Sequence, residues 1–223
     1  MVKNDTPAME VYCAVREAIT KQRLKPGMAL RENSLCEDLG VGRSSVRTAL
    51  QQLAKEGFVE LIPNRGAFVA WFSEKQVREL YSLRRMFMVY ALEQSIDTYT
   101  EEDIQYLQSC LLAQSEAFGV RDLERYVEAV SRFYRFVMHK TGNEYLKELA
   151  EQVINRIGVY LCLYDNFYSD SVKKLRTLPF HQKMIDGIRE GKLKKTINAH
   201  DEICDRMVDA YGHMFMMARK PEN

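Results

Sequence analysis

Two helical patterns in this 223-residue chain meet across a junction of only two residues, Val41 and Gly42. Before the junction, "RENSLCEDLG" opens with polar cap candidates and places Ser34 and Glu37 at capping-box spacing. It closes at Gly40, a residue suited to the left-handed position after a helix. After the junction, "RSSVRTALQQLAKE" predicts a helix from about Arg43 to Glu56, stopped by Gly57. So tight a turn packs the second helix against the first, and this restricts how the N-terminal segment can fold.

The flanking segments fit the same unit. Residues 9–23 carry Val11, Val15, Ala18 and Ile19 at helical spacing, and "KPG" at 25–27 ends that pattern. Beyond Gly57, "FVELI" and "AFVAW" flank the turn cluster "PNRG", which predicts a two-stranded hairpin. Three helices followed by a hairpin make the order of a winged helix-turn-helix. On the helix starting at Arg43, the apolar Val46, Ala49, Leu50 and Leu53 fall on one side. Ser44, Arg47, Thr48 and Gln51 fall on the other, with Arg43 at the exposed edge. Such a helix fits a DNA major groove, where Arg donates two hydrogen bonds to a guanine edge and Gln pairs with adenine. Its N-terminus offers backbone N–H groups to phosphate, and the "PNRG" tip carries Arg65 and Gly66 toward a neighbouring groove. Two arginines four residues apart also occur on solvated helix faces that never touch DNA, so the order of elements carries this reading more than the charges do.

Composition sets outer limits. The chain balances 32 Lys and Arg against 31 Asp and Glu, so an anionic partner must be held by local placement of arginines rather than by a strong overall field. Five scattered cysteines without a CxxC pair suggest neither a disulfide framework nor a zinc knuckle. The uncharged run from Ile157 to Tyr164 falls well short of the roughly 20 residues a membrane-spanning helix needs, and "MVKNDTPAMEVY" has no signal-peptide core. A cytoplasmic protein without membrane contact is expected. No nucleophile elbow, phosphate loop or clustered acid–base pair points to an enzyme.

Residues 11–70 resemble the DNA-binding domain of the GntR family of bacterial transcription regulators. The resemblance rests on "LKPGMALRENSLCEDLGVGRSSVRTALQQLAKEGFVELIPNRGAFVA", from Pro-Gly through Leu-Arg-Glu, Leu-Gly-Val and the Arg-x-x-Val-Arg helix to Asn-x-Gly-x-x-Val. It implies that the operator is read by Arg31, by Arg43 and Arg47 with Ser44 between them, and by the wing residues Asn64, Arg65 and Gly66.

From Ser73 onward strand signals vanish. A capping box of Ser73 and Gln76 opens a helix through about Asp97, and Thr100 starts another to Phe118. Further helices are expected over 121–140, 144–164, 171–190 and 193–217. The predicted fold is thus mainly α: a winged helix-turn-helix over 1–72 and an all-helical bundle over 73–223. This second part resembles the FadR C-terminal domain, through "ELYSLRRMFMVYALEQ" at 79–94, "RFYRFVMHKTGNEYL" at 132–146 and "FHQKMIDGIREGKLKKTINAH" at 180–200. Many members of that group bind a divalent metal through an aspartate and three histidines. Those positions fall here on Val130, Tyr134, His181 and Ile203, so no metal and no cofactor is expected. His139, His200 and His213 read as ordinary surface or helix-end histidines.

The resemblance implies a bundle that senses a small molecule directly. Val130, Met88 and Ile203 make the expected cavity apolar, Arg84 would pair with a carboxylate, and Tyr134 and His181 would supply hydrogen bonds. The same side chains also suit a filled core, with Tyr134 satisfying its hydroxyl against His181. The expected function is a DNA-binding repressor that joins as a homodimer on a palindromic double-stranded operator. An organic acid or acyl effector would change the spacing of its recognition helices. The alternatives are a constitutive DNA-binding dimer with no effector and a metal-assisted sensor.

Overall fold

The computed structural model describes residues 6–165, 167–168 and 177–215, with side chains described as far as Asp209. The chain divides into two compact units, one running through Phe72 and the other beginning at Ser73. It is mostly helical with one small sheet, as the sequence predicts.

In the first unit, helix α1 spans Pro7–Thr20, with the Thr6 side chain accepting from the Met9 N–H and Pro7 in the first turn. Helices α2 (Glu32–Leu39) and α3 (Arg43–Lys55) follow, and α2 ends at Gly40 with φ of 65°, a conformation a Cβ would strain. Strands β2 (Val59–Ile62) and β3 (Gly66–Val69) form the expected hairpin, pairing Val59 with Val69 and Ile62 with Gly66. A third strand, β1 (Ala29–Leu30), was not foreseen. It pairs antiparallel with β3, giving the order β1-β3-β2, and two residues are too few to show a period. Val11, Val15 and Ile19 of α1 join Val46, Ala49, Leu50 and Leu53 of α3 in the core.

The start of α2 corrects the sequence reading. Ser34 does not cap it. The chain leaves β1 extended, and Arg31 takes the N-cap position without any side-chain cap bond, so the helix begins at Glu32.

The second unit is a helical bundle. The Ser73–Gln76 capping box is complete and opens α4 (Glu74–Ser95), which runs on into a single 3₁₀ turn, Ile96–Thr98. Thr100 and Asp103 form a second capping box for α5 (Glu101–Gly119). Helices α6 (Leu123–His139) and α7 (Glu144–Tyr164) are capped by Asp122 and Asn143. Helix α8 (Leu178–Arg189) begins later than expected, and the predicted start at 171–176 lies outside the described residues. Helix α9 is Leu193–Phe215, so the expected last two residues also lie outside them. Among the described residues no helix is long and apolar enough to cross a membrane.

The α8–α9 crossing depends on Gly187. A Cβ there would lie 2.3 Å from Thr196 Oγ1 and 3.1 Å from its backbone nitrogen, and that hydroxyl is already held by the Lys192 carbonyl at 3.1 Å. Gly187→Ala is therefore expected to destabilise the protein by about 1–3 kcal/mol through overpacking, read as a lowered urea midpoint. An unchanged midpoint would show that the crossing has slack.

Candidate functional site

The burial of Val46, Ala49, Leu50 and Leu53, each 2% exposed or less, fixes the rotation of α3. Arg43, Ser44, Arg47, Thr48 and Gln51 consequently project into solvent. The N-cap of α3, Gly42, supplies no side-chain acceptor, and no acidic residue lies in the first turn. The Ser45 and Val46 N–H groups donate to the Gly42 carbonyl, and the positive end of the helix dipole carries no side-chain cap.

Arg47 is not free to wander. Its Nε donates to both carboxylate oxygens of Glu32, at 2.9 and 3.1 Å, while its side chain stays 64% exposed. Glu32 thus orients the guanidinium through one nitrogen and leaves the terminal pair outward. This contact also ties the start of α2 to the outer face of α3, which places the exposed Arg31 at its edge. Sequence reading missed Glu32; the signal was its position directly after Arg31, where the first turn of α2 faces the next helix. Thr48 donates to the Ser44 carbonyl at 3.0 Å, so it can offer an interface its methyl group and an accepting oxygen but no free proton. At the hairpin tip the Arg65 N–H donates to the Ile62 carbonyl at 3.0 Å, and Asn64 (φ 61°) and Gly66 (φ 96°) both occupy the positive-φ region. With Pro63 fixing the preceding φ, this tip presents Arg65, whose guanidinium lies 5.7 Å from the Phe68 ring.

In the second unit the structure brings Arg84, Tyr134 and His181 together, all fully buried. The Arg84 guanidinium lies 4.2 Å from the Tyr134 ring and 4.5 Å from that of Tyr81, and its Nη2 donates to Cys204 Sγ at 3.5 Å. Among the described residues no carboxylate lies within ion-pair distance of it, and its Nε has no partner. Among the described residues this buried cation is held by aromatic faces and a thiol, whereas such charges are nearly always paired. His181 Nδ1 is 3.1 Å from Gln114 Oε1 and Nε2 is 3.2 Å from the Tyr134 hydroxyl. With Nδ1–H donating to Gln114, the other nitrogen accepts from Tyr134, an assignment in which every partner is matched. Burial, and secondarily the Arg84 charge, pushes His181 down to about 3, so it is neutral at physiological pH.

The cluster corrects one reading. His200 is not a surface residue: it is fully buried, its ring 5.8 Å from that of Tyr134 and its Nε2 3.4 Å from Cys204 Sγ. It lies on the buried face of α9 with the apolar neighbours Ala199 and Ile203. Burial first, then Arg84, holds it well below the usual histidine range. His139 ends α6, with Nε2 3.2 Å from Glu151 Oε1, and the His213 side chain lies outside the described residues. The donor set does not fit a divalent ion, since Val130 and Ile203 are buried hydrocarbons and His181 spends Nε2 on Tyr134. The cavity beside Arg84, walled by Val130, Tyr134, Ile154, Ile157 and Leu161, measures only about 10 Å³. That is space for one water, not for an organic acid.

Residues 7–69 match the family model described as bacterial regulatory proteins, gntR family, and residues 79–208 match the FCD domain. The HTH-type transcriptional regulator YdhC of Bacillus subtilis is 26% identical over 194 residues, covering 86% of this chain and 84% of that protein. The gluconate operon transcriptional repressor of Bacillus subtilis is 21% identical over 96% of this chain and 90% of its own length. Among solved structures, Escherichia coli McbR/YncC shares the fold with a TM-score of 0.66 at 20% identity, covering 96% of this chain and all of that one.

The buried histidines make stability pH-dependent. In the unfolded chain His181 takes up a proton near its ordinary value of about 6.5, whereas the folded protein resists protonation until about 3. Its contribution is therefore complete above the unfolded value and is lost as pH falls below it. From pH 7 to pH 5 this removes about 2 kcal/mol, with His200 acting in the same direction. Urea unfolding at the two pH values is expected to show that fall, with a shallower slope in His181→Gln. Equal slopes would mean that His181 is already protonated when folded.

Proposed function

Because the chain belongs to the gntR family of bacterial regulatory proteins, it is a transcriptional regulator rather than an enzyme, and we propose that it represses transcription by binding a palindromic DNA operator as a homodimer in the cytoplasm. The observation that carries this reading is the outward polar face of α3, with an uncapped N-terminus and an arginine oriented by Glu32. Arg43 and Arg47 read base edges in the major groove, Ser44 and the first-turn N–H groups hold phosphate, and Gln51 and Thr48 extend the contact. Arg31 and the Asn64–Gly66 tip anchor the flanks. Repression is taken from the named action of the gluconate operon repressor.

A second copy has a surface to meet. Leu83, Met86 and Tyr90 of α4 and Tyr145 and Leu149 of α7 are all 41% exposed or more. The two helices run antiparallel, with the Tyr90 hydroxyl 3.3 Å from Asn143 Nδ2 at one end and the Tyr81 and Tyr160 rings 6.3 Å apart further along. An apolar face of this kind supports a self-complementary interface.

The second-unit reading is an anionic effector, an organic acid or acyl compound, paired with Arg84 and hydrogen-bonded by Tyr134 and His181. A buried guanidinium with no carboxylate partner among the described residues favours it. Entry requires Tyr134 to yield, because the present cavity is full. That same fullness favours a second reading, a constitutive dimer with no effector.

One measurement tests the DNA contact and another separates the two bundle readings. With a duplex chosen by in vitro selection, Arg47→Ala is expected to weaken specific binding by about 1–3 kcal/mol. Glu32→Ala should narrow the gap between selected and scrambled DNA, since it frees Arg47 and removes a negative charge beside phosphate. Equal losses on both duplexes for Arg47→Ala would make that residue a phosphate anchor only. For the bundle, a panel of carboxylates is expected to raise the melting temperature of the wild type and not of Arg84→Gln. A panel without effect on the wild type leaves the constitutive dimer as the function.

A further inference from the structure

Arg84 has fewer partners than a buried guanidinium needs. Of its N–H donors, Nη2 reaches only the weak acceptor Cys204 Sγ at 3.5 Å, and Nε has no partner among the described residues. Asp201 and Asp205, which flank Cys204 on α9, are taken by Arg85 at 2.7 and 2.6 Å. Among the described residues the positive charge is thus left without a negative one in hydrogen-bond reach, in surroundings where a bare charge is costly.

Beside this charge lies the cavity of about 10 Å³ between α6 and α7, the measure of one small sphere. Hydrocarbon from Val130, Ile154, Ile157 and Leu161 makes most of its wall, and the Ser131 hydroxyl adds a polar group. Tyr134 lines it too, but its hydroxyl is engaged by His181 at 3.2 Å. Gly158 of α7 completes the lining: a Cβ there would stand 3.8 Å from Ser131 Oγ and 3.3 Å from Val127 Cγ1. Glycine in a helix interior is less stable than alanine, and at this position it keeps space open opposite Ser131. A water gains little from hydrocarbon walls, whereas in so dry a place the guanidinium attracts a full negative charge far more strongly than a dipole. Carboxylates and phosphates exceed a single sphere. Chloride, slightly larger than water, enters with a small outward shift of the aliphatic side chains.

We propose that this cavity is a binding site for a monatomic anion, chloride under cellular conditions, held by the Arg84 guanidinium and the Ser131 hydroxyl and enclosed by α6 and α7. The site goes beyond the effector reading, because a halide occupies it whether or not an organic acid ever enters the bundle. The carboxylate panel and the halide experiment therefore fail separately.

A crystal of the wild-type chain grown in sodium bromide, measured at the bromine absorption edge, is expected to show an anomalous peak in this cavity within hydrogen-bond reach of Arg84. No peak there would overturn the proposal. In solution, urea unfolding is followed at constant ionic strength while chloride replaces methanesulfonate, an anion too large for the cavity. For a dissociation constant of about 10 mM, raising chloride from about 1 to about 100 mM shifts the unfolding equilibrium about tenfold toward the folded state. A bromide peak without any such shift marks an adventitious ion only and also overturns the proposal. Gly158→Ala narrows the cavity and keeps the guanidinium, so there the shift is expected to vanish, as it is in Arg84→Met. A shift retained in either variant would place the chloride elsewhere and overturn the assignment.

Discussion

Everything at the DNA-facing unit depends on one apolar contact, the seating of α3 on α1 through Val46, Ala49, Leu50 and Leu53. Burying Val and Leu side chains of this size is worth about 1.5–3 kcal/mol each, more than any single surface ion pair returns. Packing therefore decides the rotation of the helix, and the polar residues are aimed by it rather than by their own interactions. Only then does the Glu32 carboxylate matter. It refines the direction of an arginine that the core has already turned outward.

The bundle obeys a harsher constraint. Arg84 is charged at any physiological pH and is sealed among Tyr81, Tyr134 and Cys204. Around it the ionisable groups adjust to a positive neighbour in a dry site: both nearby histidines are held neutral, and burial raises the phenols of Tyr81 and Tyr134. The cluster is satisfied hydrogen bond by hydrogen bond at His181, yet left open at Arg84 Nε, the Tyr81 hydroxyl and Gln114 Nε2 among the described residues.

Much of this was legible in the sequence because it follows from periodicity and caps. The α3 faces, the Gly40 stop and the Ser73 box could be read from spacing alone, since each rests on contacts within a turn or two. What escaped reading depends on distant partners. Strand β1 exists only because β3 pairs with it, and Ser34 lost the cap to Arg31 because that strand delivers the chain already extended. The Glu32–Arg47 bond joins residues on two helices. His200 looked peripheral because Asn198 and Asp201 stand near it in sequence, and only tertiary packing, with the Tyr134 ring of α6 against it, shows that it turns inward.

The account stands on α3 and the hairpin tip forming one outward surface for duplex DNA. Hydrogen exchange of the full chain, with and without a selected operator duplex, tests this most directly. Protection is predicted in the N-terminal half of α3 and at residues 63–66, with α1 unchanged. Protection confined to other segments, or none on a duplex that binds, would contradict it.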